Sequence, residues 1–135
     1  EALSITTIFD STSARGPVTR SDYSIDWHFS GRYTAMKPTF ERLCAEVKTK
    51  LNVNPYYRKQ FIAFKRNYIF IDMHVYTDRL DLGLTLPSET NVSSRFQRPR
   101  EAQFGSRVTR FVKISSPTDV DSELMQAITE AYNNS

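Results

Sequence analysis

Between residues 59 and 86, three runs with strand-like patterning follow one another with almost nothing between them. Residues 60–64 read Q-F-I-A-F, residues 69–76 read I-F-I-D-M-H-V-Y, and residues 80–86 read L-D-L-G-L-T-L. Ile69, Ile71, Met73 and Val75 recur at every second position, as do Leu80, Leu82, Leu84 and Leu86. That is the period of a strand with one buried face, so the stretch predicts a three-strand antiparallel meander. Asp72, His74 and Tyr76, with Asp81 and Thr85, fall on the opposite face. With the helices on the leucine-rich face, this polar face is expected to stand open to a partner.

The pattern changes period on both sides of the meander. Lys37-Pro38-Thr39 opens a helix, with proline suited to a first turn. Phe40, Leu43, Cys44, Val47 and Leu51 then form the stripe of an amphipathic helix, ended by residues 52–55. Ahead of it, Trp27, His28 and Phe29 cluster before Gly31 and read as a plug for one end of the core. Residues 108–114 (V-T-R-F-V-K-I) predict a fourth strand. Arg110 shares the parity of its apolar residues, which a bulge, an edge position or a paired arginine would explain. Ser116-Pro117-Thr118-Asp119 is a helix start with an acid in the first turn. Val120, Leu124, Ala127, Ile128 and Ala131 supply that helix with a buried face.

Two segments lack periodicity. Residues 1–24 hold nine Ser or Thr and read as a linker or tail, with a weak edge-strand pattern at residues 4–9. The start at Glu1 rather than methionine suggests a piece excised from a longer protein. Residues 87–106 are polar and contain Pro99 and Gly105. A loop of that length in a small domain is expected to be functional or mobile.

Composition changes this picture in three ways. At 135 residues, 39% hydrophobic and 13% aromatic, the chain has room and material for one core. No apolar run approaches the ~20 residues that span a bilayer, and no secretory signal pattern is present. A single cysteine, Cys44, cannot form an internal disulfide, which suits a cytoplasmic setting. The net charge of +3 is unevenly spread. Arg95, Arg98, Arg100, Arg107, Arg110 and Lys113 against Glu101 alone give residues 95–113 a charge of +5, leaving −2 elsewhere. Such a patch on a balanced domain is a footprint for phosphate or nucleic acid, and a solvated arginine-rich loop is the competing reading.

Catalytic chemistry finds little support. Two histidines and one cysteine spread over residues 28–74 are a poor supply of metal ligands, so neither a metal nor a cofactor is expected. Cys44 with His28 or His74 lacks any spacing that favours a thiol–imidazole pair. Four scattered glycines exclude a dinucleotide or P-loop motif. A nuclease core needs an acid and an acid-x-Lys triplet on adjacent strands. Glu46-Val47-Lys48 has those letters on a helix, while Asp72 and Asp81 lack the lysine. Binding remains, with Phe61, Tyr68, Phe104 and Phe111 as stacking surfaces beside basic residues, or as core.

Four stretches together resemble a known family. They are His28-Phe29 ahead of the Lys37-Pro38 helix, K-Q-F-I-A-F-K-R at residues 59–66, the strand pair after it, and the closing V-D-S-E-L-M-Q-A-I-T-E-A-Y. Over roughly residues 25–133 the chain resembles the bacterial and archaeal domain of unknown function DUF5655. Where that family carries a tryptophan- and glycine-rich stretch, this chain has Phe104-Gly105-Ser106-Arg107. The resemblance implies the C-terminal part of proteins labelled predicted transport proteins, some joined to a restriction-endonuclease-like domain. It therefore implies an accessory domain of defence or DNA-processing proteins; the transport label finds no membrane segment to support it.

The expectation is a linker at residues 1–24 and one α+β domain at residues 25–135. The domain should have two layers: a four-stranded, mainly antiparallel sheet with an N-terminal and a C-terminal helix. Its expected role is a non-catalytic accessory module contacting DNA, RNA or nucleotide phosphates through Lys65, Arg66, Arg95, Arg98, Arg100, Arg107 and Arg110. One alternative is an interaction or dimerisation module that positions an upstream domain. Another is a small-molecule sensor with a pocket at Trp27, His28, Asp72, His74 and Tyr76.

Overall fold

In a computed structural model, the structure describes residues 23–135. The edge-strand pattern at residues 4–9 and nearly all of the linker segment lie outside the described residues. A short helix α1 (Ile25–His28) and a 3-10 turn (Gly31–Met36) lead into helix α2 (Lys37–Leu51). Five strands follow: β1 (Tyr56–Tyr57), β2 (Ile62–Lys65), β3 (Ile69–Val75), β4 (Leu80–Leu84) and β5 (Arg110–Ile114). A 3-10 turn (Pro117–Asp119) precedes helix α3 (Ser122–Asn134). The sheet order is β1-β2-β3-β4-β5 and every pairing is antiparallel. The α+β class and the meander stand as expected, with five strands rather than four. The addition, β1, is two residues long and pairs with Ile62 and Ala63. So short a strand carries no period to detect.

Helix α2 is bounded as its residues dictate. Pro38 sits in the first turn, and Asn52 closes the helix in the left-handed region (φ 58°), its N–H bonded to the Lys48 carbonyl at 3.0 Å. Asparagine tolerates that conformation better than most residues. At the far end, Asp121 caps α3 by accepting the Leu124 N–H at 3.0 Å.

Cross-strand register sorts the sheet into two faces. The row Ile62–Met73–Leu82–Val112 faces the helices, as do Val75–Leu80–Ile114. Against them pack Phe40, Leu43 and Val47 of α2 and Leu124, Ile128 and Ala131 of α3. Full burial of each Leu or Ile there contributes about 1.5–3 kcal/mol. Of the aromatic cluster before α2, Phe29 is the ring that joins this core, stacked on Phe40 at 4.8 Å.

One phase of the pattern is corrected. The pairing slips between Phe64 and Lys65, because Phe64 opposes Ile71 while Lys65 opposes Ile69. Phe70 is the extra residue of this bulge. It is fully buried in the core, edge-on to Tyr132 at 5.3 Å, whereas Ile69 is only half-buried. An alternating count through the bulge assigns the wrong member of that pair to the core.

The polar sheet face is not open, which is the second correction. Register places Ala63–Asp72–Gly83–Phe111 in one row on that face, next to the row of His74–Asp81–Lys113. Asp72 and Asp81 are both buried, at 8% and 2% exposure. The connection from β4 to β5 returns across this face. Gln97 pairs with Phe111 in an isolated bridge, and Phe104 lies against Gly83. Phe96, from the same connection, is buried in the helix-side core.

Candidate nucleic-acid interface

The long connection is held by a few strong contacts, and these decide which of its basic groups remain exposed. Arg95 is the anchor. Its guanidinium donates to Asp121 at 3.0 Å, to Glu123 at 3.1 Å and to the Asp119 carbonyl. These charge-assisted bonds tie the loop to the start of α3. Asp119 accepts the backbone N–H groups of Ser115 and Ser116, which holds its carboxyl below the usual carboxylate range. Asp121 is depressed by the Leu124 N–H and then by Arg95. Arg95, counted from sequence among the phosphate contacts, is thus committed to three partners on the protein.

The other anchor is aromatic. Phe104 meets His74 edge-on at 5.1 Å and Phe111 at 5.5 Å, while Phe61 stacks on the remaining side of His74 at 6.1 Å. Asp72 accepts the Gly105 N–H at 3.1 Å through Oδ2. Its Oδ1 is 3.1 Å from His74 Nε2, within ion-pair reach but out of line for a hydrogen bond. Gly83 makes this packing possible: a Cβ there would stand 2.7 Å from the Phe104 ring. His74, Asp72 and Phe104 therefore act together as the seat of the loop.

The five residues considered as one pocket separate into different roles. Trp27 donates its indole N–H to the Lys59 carbonyl at 2.9 Å, and His28 contacts the Arg58 carbonyl through Nε2. Both thus hold the turn between β1 and β2. Tyr76 is exposed and covered on one face by Arg79 at 4.1 Å, with Arg79 also bonded to buried Asp81 at 2.9 Å. Of the five, Asp72 and His74 lie side by side beneath the loop.

The basic residues divide in the same way. Arg110 is half-buried on the edge strand, bonded to the Thr109 carbonyl at 2.8 Å, and its edge position accounts for an arginine at an apolar parity. Arg66 caps the C-terminal end of α3, lying over the Tyr132 ring at 4.6 Å and donating to the Tyr132 carbonyl at 3.3 Å. Lys65, Arg98, Arg100 and Arg107 are exposed. Among the described residues, Lys65, Arg66, Arg98, Arg100 and Arg107 have no carboxylate within ion-pair distance. Arg107 lies 4.0 Å over the ring of Tyr68, itself 52% exposed. This stacking joins the loop to the connection between β2 and β3, a proximity that residue spacing cannot reveal.

Beside that contact is a cleft of about 340 Å³. Tyr68, Thr85, Ser88, Ser106, Arg107 and Asn134 are among the residues that line it. Sequence reasoning placed Thr85 on the polar face but gave it no role. Its one available signal is a hydroxyl in a run, residues 80–86, otherwise made of leucine, aspartate and glycine. Cys44 lies elsewhere, on α2, where burial first and then Glu41 push its thiol up to about 12. A thiol so raised is a poor nucleophile near neutral pH.

Among the described residues, no helix is long and apolar enough to cross a membrane. No curated protein and no solved structure matches the chain. The features that hold the loop and the sheet together all fall within residues 25–135, the span matched by the sequence model of one family, and the chain belongs to that family, the domain of unknown function DUF5655.

Proposed function

We propose that this domain is a non-catalytic module that binds nucleic acid by its phosphates, as an accessory part of a larger cytoplasmic protein. The observation that carries the reading is the division of labour among the loop arginines. Arg95 is neutralised by Asp121 and Glu123 and fixes the loop, while Arg98, Arg100 and Arg107 stay exposed without a carboxylate partner among the described residues. Holding several arginines on an anchored loop, with no carboxylate within ion-pair distance among the described residues, leaves their charge available to an external anion. The exposed Tyr68 ring beside Arg107 adds a surface on which a base can stack.

The test is fluorescence anisotropy of a labelled single strand over a range of salt concentrations. Each phosphate contact on a single strand contributes a slope of about 0.7 in log affinity against log salt. Replacing Arg98, Arg100 and Arg107 with alanine together should weaken binding and reduce the slope by about 2. Affinity that ignores salt, or a triple variant that binds like the parent, rejects the reading.

A further inference from the structure

The returning loop closes the polar sheet face over Asp72 and Gly83, but that face extends further. Register carries the row Phe111–Gly83–Asp72–Ala63 on to Tyr56 of β1, so Tyr56 projects from the same face. Phe61 precedes Ala63 by two residues and meets His74, two residues beyond Asp72, ring to ring at 6.1 Å. Tyr76 lies two residues beyond His74, and its N–H still pairs across the hairpin with the Arg79 carbonyl at 2.9 Å. Strand spacing and rise place Tyr56 and Tyr76 roughly 16 Å apart on a diagonal, with Phe61 and His74 between them.

These rings are accessible. Tyr56 is 40% and Tyr76 39% exposed, and Phe61 and His74 are half-buried. A single exposed tyrosine needs no explanation. Among the described residues, however, three large apolar side chains are exposed, and two of them share one sheet face with two further rings between. An arginine holds each outer ring. Arg79 lies 4.1 Å from the Tyr76 ring and is itself fixed by buried Asp81 at 2.9 Å. Arg58 lies 5.5 Å from the Tyr56 ring and donates to its hydroxyl at 3.0 Å. Rings already held lose little freedom when a flat partner stacks on them.

The charge around the rings selects that partner. Arg58 and Lys59 precede Phe61 in the β1–β2 turn, and Lys113 stands on the same face in the row of His74 and Asp81. All three are exposed, with no carboxylate within ion-pair distance among the described residues. Asp78, the exposed acid of the β3–β4 turn, is bonded to Arg79 at 3.3 Å. A second copy of the chain would bring like charge against like across this face. Flat rings within a positive border instead match bases carried on a polyanion. In a duplex the bases stack on one another, and only an unpaired strand offers their faces. We infer that Tyr56, Phe61, His74 and Tyr76 form a platform on which the unpaired bases of single-stranded nucleic acid stack, while the loop arginines hold its phosphates. The inference rests on the proposed phosphate binding and adds the class of nucleic acid and the surface that meets its bases.

Fluorescence anisotropy tests this with three labelled ligands of equal length: an oligothymidylate, a strand of abasic sites with the same phosphates, and a duplex. The oligothymidylate should bind at least tenfold more tightly than the abasic strand. Tyr56→Ala and Tyr76→Ala should each weaken the oligothymidylate about tenfold, with the salt slope and the other two ligands unaffected. Tyr56→Phe and Tyr76→Phe keep the rings and should bind as the parent does. Equal affinity for the base-bearing and abasic strands overturns the platform and leaves the phosphate reading standing. Alanine variants that weaken all three ligands alike show rings that only support the fold, and also overturn it. Alanine variants that bind normally but abolish a dimer seen by sedimentation assign the face to a second copy and overturn it too. Base-dependent binding that is lost in the tyrosine variants, yet kept when Arg98, Arg100 and Arg107 are all alanine, upholds the platform and rejects the phosphate reading. Binding of none of the three ligands rejects both.

Discussion

Gly83 and Phe104 should behave as one energetic unit, and a double-mutant cycle measures it. A Cβ built at Gly83 falls 2.7 Å from Phe104 Cδ1, 3.0 Å from Val108 Cγ1 and 3.1 Å from the Asp72 carbonyl oxygen. Carbon atoms in ordinary contact sit about 3.5–4.0 Å apart, so the first overlap approaches 1 Å. The Asp72 carbonyl belongs to the sheet and cannot retreat, so the Phe104 ring is what yields. Leaving its seat, the ring gives up its contacts with His74 and Phe111, each of a kind worth about 0.5–1.5 kcal/mol. Gly83→Ala should therefore cost about 1–3 kcal/mol, the usual range for overpacking. With Phe104→Ala already in place the leading clash is gone, and the new methyl partly fills the vacated space. The two changes together should then cost about 1–2 kcal/mol less than the sum of each alone. Urea unfolding followed by the fluorescence of Trp27, the single tryptophan, gives all four free energies. If Gly83→Ala costs the same in both backgrounds, to within about 0.5 kcal/mol, the loop does not seat on Gly83 through Phe104.

The loop's other anchor predicts acid sensitivity. Asp119 and Asp121 are depressed in the folded protein, so their contribution is present above the ordinary aspartate range and lost as pH falls through it. Protease cleavage within residues 87–109 should accelerate below about pH 4, and Arg95→Ala should show the faster cleavage already near neutral pH. Equal cleavage of parent and variant would count against the anchor. Cys44 makes the opposite kind of prediction, because its thiol is raised from 9.0 to about 12. Near neutral pH that shift lowers the thiolate fraction by about a thousandfold, so a disulfide reagent should react far more slowly with the native protein than in urea. The missing charge favours the folded state below about pH 9, and that advantage is lost as pH rises towards 12. Native labelling at the denatured rate would show that the thiol is accessible and ordinary.

The sequence alone determined the local elements, because each had a repeating signal. The stripe from Phe40 to Leu51 with Pro38 before it marked α2, and the alternating leucines marked β4. The hydrophobic pattern is legible because burial acts on every turn or every second residue, so many positions agree. It failed where agreement was impossible: β1 is two residues long, and the bulge at Phe70 shifts the count by one. The basic loop and its arginines were also visible as composition, and the resemblance to DUF5655 was carried by the quoted stretches.

Tertiary structure decided what those arginines do. Arg95 and Arg98 are indistinguishable in the chain, yet one meets Asp121 and Glu123 on a helix 26 and 28 residues away, while the other stays exposed. Asp72 and His74 alternate with apolar residues as a solvent-facing pair would, yet the return of Phe104 over Gly83 buries Asp72 and half-covers His74. Arg107 finds Tyr68, and Thr85 comes to line a cleft with Ser106 and Asn134, through contacts between segments remote in sequence. Periodicity records which face of an element avoids water. It carries no information about which distant segment covers the other face, because that choice depends on the geometry of the whole sheet.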